Sequence, residues 1–336
     1  MSKKVRWGVL STAQIGRNHV IPAMQAGEAT EIVAIASRDE ARARQAATEL
    51  GISKAYGSYE ALLADPEIDA IYNPLPNHLH ADLTIWALEA GKHVLCEKPI
   101  ALDASEARAI EAAQTRTGLL VAEAFMVRFH PQWRKVREIV ESGRVGEVRA
   151  IQTIFSYYLT DPENIRNQPD IGGGGLYDVG CYAINTARYV FGSEAERVIG
   201  LFDLDPDLGT DRMTSGLAEF PGRRHLAFTC ATQLVPTQSV TILGTKGRLE
   251  IAIPFNAPAG AETTIAFDDG RDLNGGGRET ITIPASDQYT LQGDAFSRAV
   301  LGEEPLPWGL ADAVLNMQVL DALFRSAQSG QWERAG

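Results

Sequence analysis

The first 120 residues alternate short apolar runs with helical stretches, and that alternation limits the possible folds more than any single motif. Val5 to Leu10, Glu31 to Ala36, Ala70 to Asn73, Val94 to Cys96 and Leu119 to Ala122 read as strands. Ile15 to Ala26, Glu40 to Leu50, Tyr59 to Ala64, His80 to Ala90 and Ser105 to Thr115 read as helices, with Pro22 interrupting the first. Repeated βα units of this length imply a parallel sheet with helices on both faces. Right-handed crossovers follow.

After Phe125 the grammar changes. A helix from Gln132 to Ser142 leads into longer segments that alternate apolar and polar residues, as antiparallel strands with one exposed face do. These segments are Ala150 to Leu159, Glu196 to Phe202, Met213 to Phe220, His225 to Gln233, Ser239 to Leu243, Arg248 to Ile253, Thr263 to Phe267 and Thr280 to Ile283. Gly244-Thr245-Lys246-Gly247 and Asp268-Asp269-Gly270 read as hairpin turns. Helices are expected at Leu176 to Val190, Leu291 to Leu301 and Ala311 to Ser329. The division expected is residues 1–124 for nucleotide binding and 125–336 for substrate binding and oligomerisation.

A chain of 336 residues supports two domains with substantial cores. The formal net charge of -12 argues against nucleic acid or an anionic membrane as partner. No apolar run approaches the roughly 20 residues that span a bilayer. Met1 to Arg6 leads straight into Trp7-Gly8-Val9-Leu10, which reads as no signal peptide and a cytoplasmic protein. The periplasm is the alternative for a chain that has lost an export signal. Cys96, Cys181 and Cys230 have neither metal nor redox spacing and fit reduced thiols.

Ligands of open α/β sheets bind beyond the carboxyl ends of the strands. Gly8 to Gly16 follows the first strand and opens the first helix, the place of a dinucleotide-binding turn, although its glycine pattern is degenerate. Small residues there let the backbone approach a pyrophosphate, and the helix N-terminus attracts it. The second strand ends at Ser37-Arg38, where an arginine suits a 2′-phosphate and hence NADP. Two rival readings stand here, a capping box of Ser37 with Glu40 and a solvated Arg38. The third strand ends at Tyr72-Asn73-Pro74-Leu75-Pro76-Asn77-His78-Leu79-His80, whose prolines hold it extended and whose Asn77 is placed to cap the next helix. His78 and His80 lack a third ligand, so no metal is expected. The fourth strand breaks at Glu97-Lys98-Pro99, which leaves two charged side chains at its carboxyl end.

These motifs, with Gly172-Gly173-Gly174-Gly175 and Asp178-x-x-x-Tyr182, resemble the glucose–fructose oxidoreductase / inositol dehydrogenase / rhizopine catabolism (Gfo/Idh/MocA) family over almost the whole chain. The resemblance implies an α/β protein with an N-terminal Rossmann domain. It also implies a C-terminal α+β domain on an open, mostly antiparallel sheet that commonly makes a homodimer or tetramer interface. Tyr182 stands where many members carry histidine. That tyrosine, with the segments Glu123 to Pro131 and Leu176 to Tyr182, looks closest to the aldose-acting branch, including the glucose–fructose and aldose–aldose oxidoreductases.

Oxidising a sugar hydroxyl needs a hydride acceptor and a base. A phenol has a pKa near ~10 and needs a neighbouring cation to act as one at neutral pH. Tyr182 is read as the proton acceptor and Lys98 as its activating ammonium, with the exchange of those roles left open. Asp178 and Tyr182, four apart, share a helix face. Asp178 is read as orienting a substrate hydroxyl, or alternatively as stabilising the helix N-terminus.

The cofactor set expected is Gly8, Ser11, Thr12, Ala13, Ile15, Ser37, Arg38, Pro74, Leu75, Asn77, His80, Glu97, Lys98 and Arg128. The substrate set is Phe155, Tyr157, Arg166 and Asp178, with Arg166 and Arg128 also readable as surface ion pairs and His130 and Trp133 as further candidates by position. The function expected is NADP-dependent oxidation of an aldose at C1 to an aldonolactone, with a variant in which bound NADPH reduces a second sugar to an alditol. A simple xylose- or dihydrodiol-type dehydrogenase, an internally cycling lyase or epimerase, and an NADP-binding sensor are the alternatives.

Overall fold

The structure, a computed structural model, describes residues 3–336. The strand–helix alternation forms β1 (Val5–Leu10), α1 (Ile21–Gln25), β2 (Thr30–Ala36), α2 (Glu40–Leu50), β3 (Lys54–Tyr56), α3 (Tyr59–Leu63), β4 (Ala70–Asn73), α4 (His80–Glu89), β5 (His93–Cys96), α5 (Ala104–Thr117) and β6 (Val121–Glu123). All six strands pair in parallel in the order β3-β2-β1-β4-β5-β6. The order reverses between β1 and β4, so the crossovers leave a crevice at the carboxyl ends there.

Local chemistry sets the helix ends. Asp39 caps α2 by accepting from Ala41 N and Arg42 N, and Gly51 ends it in the left-handed region at φ 67°. The capping box expected of Ser37 and Glu40 is therefore not formed; the Ser37 hydroxyl accepts from Asp39 N instead. Pro22 does not interrupt the first helix. The helix continues through it, as a π-helical segment Gly16–Val20 runs directly into the first turn of α1 where Pro22 lies.

The second part comprises α6 (Pro131–Glu141), β7 (Val148–Tyr158), α7 (Cys181–Phe191), β8 (Arg197–Leu204), β9 (Asp211–Phe220), β10 (Arg224–Ala231), β11 (Gln233–Gly244), β12 (Arg248–Ile251), β13 (Thr263–Asp268) and β14 (Arg278–Ile283). The chain then adds α8 (Gln288–Val300), α9 (Leu310–Ser329) and β15 (Glu333–Arg334). The nine strands order as β14-β13-β12-β11-β7-β10-β9-β8-β15, antiparallel except for the β10–β7 pair. Leu226, Phe228, Val240, Ile242 and Leu249 are buried on this sheet, whereas Leu201 and Leu217 are exposed on it.

The compact units do not follow a single cut after residue 124. The first contains 3–126 together with Gln288–Val314, and the second Val127–Asp287 with Leu315–Gly336. The reason is packing. Trp7 at the centre of β1 is fully buried, lies 5.4 Å from Phe296 of α8 with the rings tilted, and donates its indole N–H to Ser297. Asp294 on α8 accepts from Glu28 N and Ala29 N just before β2. These tertiary contacts join segments more than 260 residues apart, which no local pattern signals.

Candidate active site

Four expected motifs meet along one edge of the parallel sheet, at the carboxyl ends of β1, β2, β4 and β5. Beyond β1 the chain turns at Ser11, which has φ 83° and donates its N–H to Ala36 of β2. Its hydroxyl accepts from Ala13 N, and the helix that carries Ile15 begins at once. Ser11 thus holds the left-handed position that glycine takes in a regular dinucleotide turn. Ser11, Thr12, Ala13 and Ile15 remain partly exposed at this helix N-terminus. Gly8 does not. It lies inside β1, where the pairing with β2 slips, and an added Cβ would come within 2.8 Å of Leu62 and 3.1 Å of Ile68. Gly8 is required by helix–strand packing at this point.

Ser37 is buried at the end of β2, and Arg38 after it is exposed. The Tyr59 phenol at the start of α3 is raised by burial and partly lowered by the Arg38 charge, so the two side chains are neighbours. The sequence reading did not single out Tyr59. A helix N-terminus for a pyrophosphate, with an exposed guanidinium at the end of the adjacent strand, fits a phosphorylated dinucleotide.

The loop after β4 is fixed from within. Asn73 is buried, donates to Thr84 Oγ1 and accepts from Leu75 N. His80, expected at the cofactor, is fully buried with Nδ1 2.7 Å from the Pro99 carbonyl and Nε2 2.6 Å from the Leu75 carbonyl. Burial lowers its pKa to about 4, against the two carbonyls, which pull it up. His80 therefore sits buried between the Pro74-Leu75 loop and the Glu97-Lys98-Pro99 turn, where its neutral ring donates to one of the two carbonyls. Leu75 is buried too. Asn77 opens a short 3-10 turn that runs directly into α4.

Glu97 is oriented by Tyr72, which donates to it at 2.7 Å. The Tyr72 phenol is pushed far up by burial and then by the Glu97 charge, so it stays a donor. Glu97 also accepts from Lys98 N at 3.3 Å, and the Lys98–Pro99 bond is cis. Lys98 and Glu97 are half-buried at the end of β5.

The second unit gathers the other expected residues. The helix carrying Asp178 and Tyr182 is π-helical over Leu176–Gly180 and α-helical from Cys181. Phe155 and Tyr157, two apart on β7, lie on one strand face and meet this helix. Tyr157 donates to Asp178 Oδ2 at 2.5 Å, and Arg166 Nε donates to the same oxygen at 2.9 Å. Such short bonds to an ionised acceptor are the strong kind. The Tyr157 phenol is held far above its usual value by burial and then by Asp178. Arg166 is held firmly cationic, chiefly by Asp178, and its charge also interacts with Tyr182. Asp178 is thus engaged by two protein donors, a partnership its sequence position did not reveal.

Tyr182 is buried in an aromatic wall, with Phe155 at 5.7 Å edge-on and Phe255 at 5.3 Å, while Phe155 and Phe255 stack at 4.8 Å. Phe255 was not foreseen, because it comes from an irregular stretch after β12. Arg128, expected at the cofactor, is buried in this unit instead. It donates to the Asn185 carbonyl and lies 5.7 Å from the Tyr189 ring centre. His130 caps α6, and Trp133 donates to the Pro254 carbonyl. Among the described residues, no group of three His, Cys, Asp or Glu side chains is placed to hold a metal ion. Among the described residues, no helix is long and apolar enough to cross a membrane.

Residues 5–125 match the model of an oxidoreductase family with an NAD-binding Rossmann fold, and residues 133–250 match the Gfo/Idh/MocA C-terminal domain. The chain belongs to the Gfo/Idh/MocA oxidoreductases. It is 48% identical to an uncharacterised oxidoreductase of Rhizobium meliloti, with 98% of each chain covered. It is 42% identical to an NADP(+) D-xylose 1-dehydrogenase of Haloferax volcanii, over 96% of this chain and 98% of that one. Among solved structures it is similar to KijD10, a 3-ketoreductase of Actinomadura kijaniata in complex with NADP and TDP-benzene. That match has a TM-score of 0.90 at 31% identity, covering 96% of this chain and 98% of the other. Variants of KijD10 with one lysine or one tyrosine replaced have also been solved, and those two residues lie 84 positions apart. As family members do, this chain combines a parallel Rossmann sheet with a mostly antiparallel one.

Proposed function

We propose that this family member is an NADP-dependent dehydrogenase that oxidises an aldose at C1 to its aldonolactone. The observation that carries the reading is the grouping of Tyr182 with Phe155, Phe255 and the Tyr157–Asp178–Arg166 cluster. An aromatic wall suits the apolar face of a pyranose ring, and a fixed polar cluster suits its hydroxyls. NADP+, when bound, would supply the acceptor for the C1 hydride. Tyr182 takes the hydroxyl proton, and Lys98 with Arg166 favours its phenolate. Lys98 and Tyr182 are themselves 84 positions apart, the spacing of the lysine and tyrosine replaced in KijD10, which supports this assignment. The Haloferax relative supports a pentose such as D-xylose. Ser11, Thr12, Ala13 and Ile15 would hold the pyrophosphate, Arg38 the 2′-phosphate, and Glu97 the nicotinamide side.

The test is a panel of pentoses, hexoses and dTDP-sugars offered with NADP, run on wild type and Tyr182→Phe. The expected result is sustained NADPH production with a neutral aldose. Tyr182→Phe should lower turnover roughly 10²–10⁴-fold while cofactor affinity holds. Near-normal turnover in the variant removes Tyr182 from the mechanism. Activity only with dTDP-sugars transfers the chain to the ketoreductase reading that KijD10 supports. A single burst of bound NADPH, reoxidised by a second sugar, identifies the two-sugar variant.

The uncovered face of the nine-stranded sheet supports a homo-oligomer. Ile199 stands directly opposite Leu217 there, Leu201 is 76% exposed and Leu217 44% exposed. An apolar stripe of this kind on a soluble chain marks an interface. Light scattering should give a dimer or tetramer mass, and Leu201→Arg should reduce it; a monomeric wild type contradicts the proposal.

A further inference from the structure

Asp211 begins β9 and is buried beneath the glycine run that leads into the Tyr182 helix. Its Oδ2 accepts from Leu176 N at 2.7 Å and from Thr214 Oγ1 at 2.7 Å. The N–H groups of Gly175 and of Asp211 itself also bear on the carboxylate. No ion pair to it occurs among the described residues. An added Cβ at Gly174 would sit 1.9 Å from Asp211 Oδ1, so this glycine is shaped to the carboxylate. On its other side Gly174 donates its N–H to the Arg166 carbonyl at 2.8 Å, and Arg166 reaches back to Asp178. A closed circuit results. It runs from Asp211 to the helix start at Leu176, through Asp178 and Arg166, and back by Gly174.

We propose that Asp211 is a positioning residue for the catalytic helix: its carboxylate supplies the anion that fixes the first turn and, through Gly174, the Arg166 loop. Nothing in the sequence pattern or the expected site assigned it a role. The proposal rests on Tyr182 and Asp178 belonging to the active site. The groups that face Asp211 are Thr214 on its own strand, Cys230 from β10, Tyr157 from β7, and the backbone of the helix start at Leu176. None is a cation. Burial accordingly raises the Asp211 carboxyl to about 6, while its donors pull it down. Its oxygens accept from backbone N–H groups as well as from the Thr214 hydroxyl, so protonation weakens the acceptor that holds Leu176 N and loosens the turn.

Hydrogen exchange of backbone amides 174–178 and steady-state turnover, followed against pH, test this. In wild type, exchange corrected for intrinsic rates should rise, and kcat fall, as pH drops through about 6. Asp211→Asn should exchange fast at every pH and lose roughly tenfold to a hundredfold in kcat. Its cofactor KM should not change. Thr214→Val removes one donor to the anion while keeping volume, so both midpoints should move to higher pH. That variant keeps the test open if Asp211→Asn does not fold. Wild-type exchange and kcat in Asp211→Asn, or unmoved midpoints in Thr214→Val, overturn the proposal. If exchange responds as expected while kcat does not, Asp211 still fixes the turn and the catalytic reading of Tyr182 is what fails.

Discussion

Two helices in this molecule begin with the same sequence device and use it in opposite ways. Each follows a turn rich in small residues, and each opens with a π-helical segment, Gly16–Val20 in the first unit and Leu176–Gly180 in the second. Such segments recur at functional sites. Unpaired N–H groups at a helix start attract an anion. In the first unit the turn Ser11 to Ala13 stays partly exposed and fits the pyrophosphate of a ligand. In the second, the anion comes from the chain itself, because Asp211 fills the place beneath Gly174. A glycine-rich helix start therefore identifies a place for negative charge, and only the surrounding fold says whether a ligand or a side chain supplies it.

The largest effect is expected of Gly174→Ala. Gly174 has φ 118°, and its Cβ would lie 1.9 Å from a buried oxygen, so neither the backbone nor the neighbour can yield. Strain and overpacking together should cost about 3 kcal/mol or more. Thermal unfolding should show a large fall in Tm, with turnover lost even where the protein folds. A Gly174→Ala protein with wild-type Tm and turnover would mean that Asp211 is not seated under the turn.

The elements of the first unit were legible because a buried parallel strand and its helix announce themselves by period and by their end residues. α2 runs from Glu40 to Leu50 as expected, and β4 from Ala70 to Asn73. The short edge strand Lys54–Tyr56 carries too few residues to show a pattern. In the site, Asp178 and Tyr182 stood out through the motif Asp178-x-x-x-Tyr182 that carries the family resemblance, and Phe155 and Tyr157 by their place on a strand. Asp211, Phe255 and Tyr59 did not, because each matters through a partner distant in sequence. His80 and Gly8 have frame contacts that were hidden for a related reason. A histidine or glycine in a motif does not announce the Leu75 and Pro99 carbonyls or the Leu62 side chain packed against it.

Arg38→Ala sharpens the first-unit side of the comparison with a smaller effect. A charge-assisted hydrogen bond is worth about 1.5–3 kcal/mol. Its loss should therefore weaken NADP binding roughly tenfold to a hundredfold. NAD, which lacks the 2′-phosphate, should bind the variant as it binds wild type. Arg38 is exposed, so stability should scarcely change. Titration of both cofactors against wild type and variant measures this, and equal losses for the two would take Arg38 away from the 2′-phosphate.

The smallest effect is expected at Gly16, which makes it the most discriminating control. An added Cβ there would meet Tyr72 at 3.5 Å and Pro74 at 3.7 Å, ordinary contact distances, and the backbone is not in the left-handed region. Gly16→Ala should remove chain entropy from the unfolded state and favour the helix by about 0.5–1 kcal/mol. The expected outcome is a Tm raised by about 1–3 °C. NADP affinity should stay close to wild type, because the N–H groups offered to the ligand belong to the turn before it. Retained affinity would show that the open helix start needs small residues only at Ser11 to Ala13. A tenfold loss would instead place the ligand over the Gly16 backbone and make the first turn as tightly fitted to its anion as the Gly174 turn is to Asp211.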